Sequence, residues 1–141
     1  MAQNPAVRLY SAVLDCPDAQ ALAEFYSSLT GWMVVFSSEE YAVIAPAGTA
    51  QGAYPGITFQ QNPAYVPPVW PEQPGMQQQM AHLDFMAEDV ETAIELAKEL
   101  GASVAPEQFS DSWTVMLDPA GHPFCLLDQR KMLGDAPCML L

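Results

Sequence analysis

The chain has 141 residues, of which 50% are hydrophobic, and this length suffices for one domain with a core of its own. Its 17 acidic residues against 4 basic ones give a formal net charge of -13, which argues against nucleic acids and anionic membranes as partners because their phosphates would be repelled. The cysteines show no CxxC spacing, no apolar run is long enough to span a bilayer, and the N-terminal residues lack the features of a signal peptide. We therefore expect a single-domain cytoplasmic protein over residues 1–141.

The first half of the chain, about residues 7–62, predicts a strand, a helix and three more strands. Leu9 to Leu14 is a short apolar run, after which Pro17 ends the strand and Asp18 can cap a helix. Apolar side chains then recur at helical spacing, and Gly31 suits the end of the helix. These side chains are Leu22, Phe25, Tyr26 and Leu29. The three further strands are predicted at Trp32 to Phe36, Tyr41 to Ala45 and Ile57 to Gln60.

The second half, about residues 79–130, repeats this order. Met80 to Met86 predicts a strand, Asp89 the cap of a helix, and Gly101 its end. The apolar face of this helix is formed by Val90, Ala93, Ile94, Ala97 and Leu100. Three strands are then predicted at Ala102 to Ala105, Trp113 to Leu117 and Phe124 to Leu127. The sequence therefore predicts two tandem βαβββ modules of the α+β class. We expect the modules to pair into a curved, cup-like mixed sheet with the helices outside, because this pairing would bury their bare faces.

The segment between the modules, residues 63–78, is too rich in proline for a central strand or helix and predicts an extended linker. Tyr65 and Trp70 lie in this linker, where packing within a sheet does not explain them. Two alternatives are open, since these rings can pin the linker to the domain or form the rim of a ligand-binding surface. The apolar tail, residues 131–141, is expected to dock on the domain or on a partner subunit.

A set of short motifs follows one order along residues 7–130. The motifs are Phe25-Tyr26 and Leu29 before Gly31, then His82 seven residues ahead of Asp89, then the run Asp118 to Phe124, DPAGHPF. This order resembles the glyoxalase/bleomycin-resistance/extradiol-dioxygenase group, the vicinal oxygen chelate superfamily. The resemblance implies a concave site for a small organic molecule and, commonly, a homodimer. It also implies, in metal-dependent members, a divalent ion held by His, Gln or Glu from the first and last strands of each module.

The resemblance places four ligand positions on this chain. The first falls on Ser11, the third on His82, and the last, usually a Glu, on Cys125. The second falls on Thr58 or Gln60, and the sequence leaves that choice open. Because Ser11 and Cys125 replace the usual ligands, little anionic oxygen remains and a metal-free site is expected. If a divalent metal does bind, His82, Cys125 and Gln60 are the expected ligands, with zinc suited to the thiolate.

Three functional hypotheses remain. The first is a metal-free protein that binds or sequesters an aromatic or cationic compound, as the drug-sequestering members of the superfamily do. The second is a metal-dependent lyase, isomerase or dioxygenase, and the third is a metal-free enzyme in which His82 and Cys125 act as base and nucleophile. Purely structural roles are also open for both residues, and Asp118 and His122 are expected to serve the hairpin turn. The residues predicted to contact a ligand are Ser11, Thr58, Gln60, His82, Cys125, Tyr65, Trp70 and Trp113.

Overall fold

The computed structural model describes residues 6–50 and 52–134. The chain divides into two compact units, and the boundary along the sequence lies between Pro63 and Ala64. The elements of the first unit are β1 Ser11–Cys16, α1 Ala19–Thr30, β2 Met33–Ser37, β3 Tyr41–Ala45 and β4 Gly56–Gln61. Those of the second unit are β5 Leu83–Ala87, α2 Val90–Glu99, β6 Ser103–Val104, β7 Trp113–Leu117, β8 Pro123–Asp128 and α3 Gln129–Leu133. Each unit holds one βαβββ module, so the predicted α+β fold with two modules is confirmed.

The first unit is a four-stranded sheet of order β1-β4-β3-β2, in which β1 and β4 are parallel neighbours. Helix α1 begins where the Asp18 carboxylate accepts a hydrogen bond from the Ala21 amide, and it ends at Gly31, whose φ of 76° favours glycine. One face of the sheet packs on this helix, since the Phe59 ring stacks on Tyr26 with ring centroids 5.5 Å apart. Because α1 is the one helix among the described residues of this unit, the opposite face is its helix-free face, and it carries the alternate residues of each strand.

The second unit has the matching order β5-β8-β7-β6, and its parallel neighbours are β5 and β8. Helix α2 contacts β8 and β6. Its N-cap is Asp89, whose carboxylate accepts a hydrogen bond from the Thr92 amide. The hydrogen bonds from Thr92 lower the pKa of Asp89. Phe124 and Leu126 are buried on the helix-covered side of β8. Their neighbours in β8 alternate to the side turned away from α2, which we call the helix-free face of this sheet.

Most strand boundaries differ from the sequence-based expectations by one to three residues, and the differences are informative at β1 and β5. Strand β1 begins at Ser11 rather than Leu9, because its pairing with β4 begins where Ser11 meets Gly56. Strand β5 begins at Leu83, after the polar segment that carries Met80. Helix α3 was not predicted, and it begins where the Asp128 carboxylate accepts from the next amides along the chain. The predicted docking of the tail concerns mainly residues 135–141, which lie outside the described residues.

The turn between β7 and β8 is held by a buried carboxylate. Asp118 Oδ1 accepts hydrogen bonds from the amides of Ala120 (2.9 Å) and His122 (3.0 Å), and Oδ2 lies 2.9 Å from His122 Nδ1. Tyr65 packs on the same turn, because its hydroxyl donates to the Ala120 carbonyl at 2.7 Å and its ring centroid lies 5.3 Å from that of His122. Of the two roles open for Tyr65, these contacts support attachment of residues 64–71 to the second unit.

We expect Asp118→Ala to lower the free energy of unfolding by about 2–4 kcal/mol, because it leaves two amides and the His122 ring without their buried acceptor. Urea denaturation followed by circular dichroism measures this change. Asp89→Ala is the matched control, since it removes an exposed capping carboxylate from the same unit and should cost clearly less. Equal losses in the two variants would show that the turn does not depend on Asp118.

Candidate functional site

Three polar side chains meet on the helix-free face of the second sheet. His82 directly precedes β5 and Asp84 lies within it, so their side chains, two positions apart, point to the same side. In the neighbouring parallel strand, Cys125 is the register partner of Asp84. The imidazole nitrogens, carboxylate oxygens and sulfur offer one atom each within 4.8 Å of one another. The shortest contact joins His82 Nε2 to Asp84 Oδ1 at 3.1 Å.

This His82–Asp84–Cys125 group lies at the boundary between solvent and an apolar layer. The side chains of His82 and Asp84 are 41% and 54% exposed, whereas Cys125 is only 8% exposed. Cys125 belongs to a buried hydrophobic cluster with Ala105 and Val115, and Trp70, Leu117 and Leu127 pack against this cluster. A molecule arriving from solvent therefore meets the imidazole and the carboxylate first, and the thiol forms the base of the group.

The environment of Cys125 disfavours its thiolate. Burial, followed by the charge of Asp84 and a hydrogen bond to that carboxylate, raises the pKa of Cys125 to about 11. An activated cysteine nucleophile needs the opposite shift, and His82 is engaged with Asp84. The hypothesis of a covalent Cys–His enzyme thus gains no support from this arrangement.

A half-exposed apolar row adjoins the polar group. Leu127 is paired with Met86 on one side and with Trp113 on the other, so the three side chains stand next to one another on the same face. Met86 and Trp113 are each 38% exposed. The face is polar at the paired residues Asp84 and Cys125, and it becomes apolar two positions further along the strands, at Met86 and Leu127.

Trp70 packs beside the same group, against the cluster of Ala105, Val115 and Cys125. Its indole Nε1 is buried and has no hydrogen-bond partner among residues 6–50 and 52–134. Phe109 packs edge-on against the Trp70 ring, with centroids 6.1 Å apart. Buried indole N–H groups usually find an acceptor, so this donor is suited to an acceptor on a bound molecule.

The candidate residues of the first unit form their own polar contact. Ser11 Oγ lies 2.6 Å from Thr58 Oγ1 on the helix-free face of the first sheet. Thr58 and Gln60 are two positions apart in β4 and therefore share the face opposite Phe59, which packs on α1. Of these two residues, Thr58 is the one with a described hydrogen bond to Ser11, and it is 8% exposed.

The residue that the sequence analysis missed is Asp84. The resemblance fixed attention on His82 and Cys125, and Asp84 matches none of the four ligand positions. The signal was present in the alternation of β5, since a His-x-Asp pair in a strand places both side chains on one face. The group supplies one nitrogen, one carboxylate and one sulfur, a mixed donor set of the kind that zinc accepts.

Comparisons with known proteins agree with the fold. A family model described as Glyoxalase-like domain matches residues 11–127. A glyoxalase/bleomycin resistance protein/dioxygenase family enzyme from Burkholderia phytofirmans PsJN is 18% identical, with a TM-score of 0.63 and coverage of 86% of this chain and 98% of that one. The trypanothione-dependent glyoxalase I of Leishmania major is 15% identical, with a TM-score of 0.60 and coverage of 91% of each chain.

A bleomycin resistance determinant encoded on the transposon Tn5 shares the same architecture. It is 14% identical, with a TM-score of 0.53 and coverage of 86% of this chain and 98% of that one. No curated protein matches the sequence. At such identities the structural likeness shows the fold alone, because one scaffold of this kind carries many activities.

The environment of Cys125 predicts a slow reaction with iodoacetamide. Around pH 8 its thiolate fraction should be roughly 100-fold below that of an unperturbed thiol, and the alkylation rate should rise until about pH 11. Mass spectrometry of the Cys125 peptide over a pH series measures this profile. Asp84→Asn should move the profile to lower pH, because Asp84 contributes to the raised pKa. A rate that levels off below pH 8 in the unaltered protein would restore the nucleophile hypothesis.

Proposed function

The chain belongs to the glyoxalase-like domain family within the vicinal oxygen chelate superfamily, and from that premise we propose that it binds a small organic molecule on the helix-free face of its second sheet. One observation carries the proposal: the half-exposed row of Met86, Leu127 and Trp113 stands directly beside the exposed carboxylate of Asp84. Apolar surface with a few fixed polar groups is typical of small-molecule sites.

An aromatic compound with a positive charge fits this surface best. The Trp113 ring offers a flat apolar contact, and Asp84 has no Lys or Arg partner among the described ion pairs. The formal net charge of -13 raises the local concentration of cations in the same direction. The contacts proposed here need no metal, in line with sequestration of the compound rather than its conversion.

A second candidate function is supported by a different observation. His82, Asp84 and Cys125 bring three different donor types together, which favours the metal-dependent lyase, isomerase or dioxygenase hypothesis over the covalent one. A divalent ion held there would polarise the oxygens of a chelating substrate. The side chains of His82 and Asp84 are the exposed members of the group, and they would orient such a substrate from the solvent side.

The assembly and location are also part of this proposal. The resemblance implies a homodimer, and the composition favours a cytoplasmic protein with neither nucleic-acid nor membrane partners. Within the described residues, no helix has the length and apolar character that a membrane span requires.

Binding can be tested with N-methylquinolinium, an aromatic cation, and with quinoline, its neutral counterpart at neutral pH. We expect saturable quenching of tryptophan fluorescence by the cation in chelator-treated protein, and weaker binding of quinoline. Trp113→Leu should weaken binding of the cation by about fivefold, measured by isothermal titration calorimetry, because the aromatic contact is lost.

The matched control for charge is a comparison of Asp84→Asn with Asp111→Asn. Both variants remove one exposed carboxylate from the second unit, but only Asp84 stands beside the apolar row. Asp84→Asn should therefore reduce the preference for the cation over quinoline, and Asp111→Asn should leave it unchanged. An absence of saturable binding of either compound, or equal effects of the two variants, would contradict the proposal.

A further inference from the structure

We propose that His82, Asp84 and Cys125 form a zinc site contained wholly within the second unit, with Asp84 as a ligand that the superfamily pattern does not supply. The pattern described above takes ligands from both modules and puts none at the position of Asp84. Here β8 provides Cys125, β5 provides Asp84, and the residue directly before β5 provides His82. The site is therefore assigned from this chain's own side chains, and because it uses Asp84, zinc and the organic cation proposed above would compete for that carboxylate.

The chemistry of the donors selects the metal. Calcium and magnesium prefer oxygen ligands, whereas two of the three donors in this group are nitrogen and sulfur. Zinc is bound by exactly the three donor types present, an imidazole nitrogen, a carboxylate oxygen and a thiolate sulfur, with four ligands in total. Three protein ligands leave one coordination position open to solvent, which suits the exposure of His82 and Asp84.

The spacing of the donors is close to that of a coordinated ion. Around tetrahedral zinc, ligand atoms are separated by roughly 3.3–3.8 Å, given metal–ligand distances of about 2.0–2.3 Å. His82 Nε2 and Asp84 Oδ1 already lie 3.1 Å apart, and all three donors lie within 4.8 Å of one another. The register of β5 and β8 fixes the backbone of Asp84 next to that of Cys125. The remaining gap between the donor atoms can therefore be closed by rotation of the exposed side chains of His82 and Asp84.

The charge of the group also favours a divalent cation. Asp84 and the Cys125 thiolate would bring two negative charges to the metal, and the Cys125 proton would pass to solvent when zinc binds. The ion pairs among the described residues place no Lys or Arg against Asp84 that would compete with the metal. The apolar layer beneath the sulfur, which includes Val115, keeps water from that side of the group.

The test is a metal titration of the full chain, with no organic ligand present. After treatment with chelator, calorimetry with zinc chloride should give one equivalent bound. Cobalt(II) should give the near-ultraviolet absorption of a thiolate-to-cobalt bond. Asp84→Asn should weaken zinc binding by at least about tenfold, whereas Asp111→Asn should leave it unchanged. Cys125→Ser should abolish the cobalt–thiolate absorption, whereas Cys138→Ser should retain it.

The proposal is overturned if no equivalent of zinc binds, or if the cobalt–thiolate absorption survives in Cys125→Ser. It is also overturned if Asp84→Asn and Asp111→Asn bind zinc equally well. Circular dichroism of each variant establishes that it is folded, and His82→Asn provides an independent loss of one ligand. Quinolinium binding is measured on metal-free protein, so a failure there removes the proposed organic ligand and leaves the zinc site standing.

Discussion

The parallel pairing of β5 with β8 is the constraint on which the candidate site depends. These strands are the first and last of their module, and their register sets Asp84 beside Cys125. Because side chains alternate along a strand, a slip of one residue would turn Cys125 towards α2 and bring Phe124 to the helix-free face. The buried Phe124 and Leu126 therefore fix the register through their packing, and the polar group follows from it. Core packing and site geometry are two results of one pairing.

The same alternation explains why the site joins such different chemistry in a small area. Cys125 and Leu127 are two positions apart in β8, so one lies in the polar row and the other in the apolar row of the same face. The carboxylate of Asp84 affects the thiol beside it, and together with burial it keeps that thiol in its neutral form. A cation bound beside Asp84 and Cys125 would favour the Cys125 thiolate, because a positive charge stabilises the negative form. A neutral ligand would leave the thiol protonated.

Local chemistry made much of the fold predictable from sequence. The caps at Asp18 and Asp89 and the stop at Gly31 use nearby backbone groups, so the sequence contained their partners. Strand ends were less accessible, because β1 begins where β4 provides Gly56, a residue distant in sequence. The site was predicted in part: His82 and Cys125 came from a resemblance, and Asp84 was overlooked although the two-residue period of β5 placed it beside His82. Its pairing with Cys125 required the strand register, which periodicity does not give.

The resemblance puts a glutamate where this chain has Cys125, and that replacement led to the expectation of a metal-free site. A metal-free site follows from that replacement only if no nearby residue restores the lost carboxylate. Asp84 is the register partner of Cys125, so a carboxylate remains in the group but is carried by the first strand of the module instead of the last. The exchange leaves the oxygen donor in place and adds sulfur, which shifts the preference from hard oxygen-binding ions towards zinc. A degenerate motif in the sequence is therefore compatible with the zinc site proposed for His82, Asp84 and Cys125.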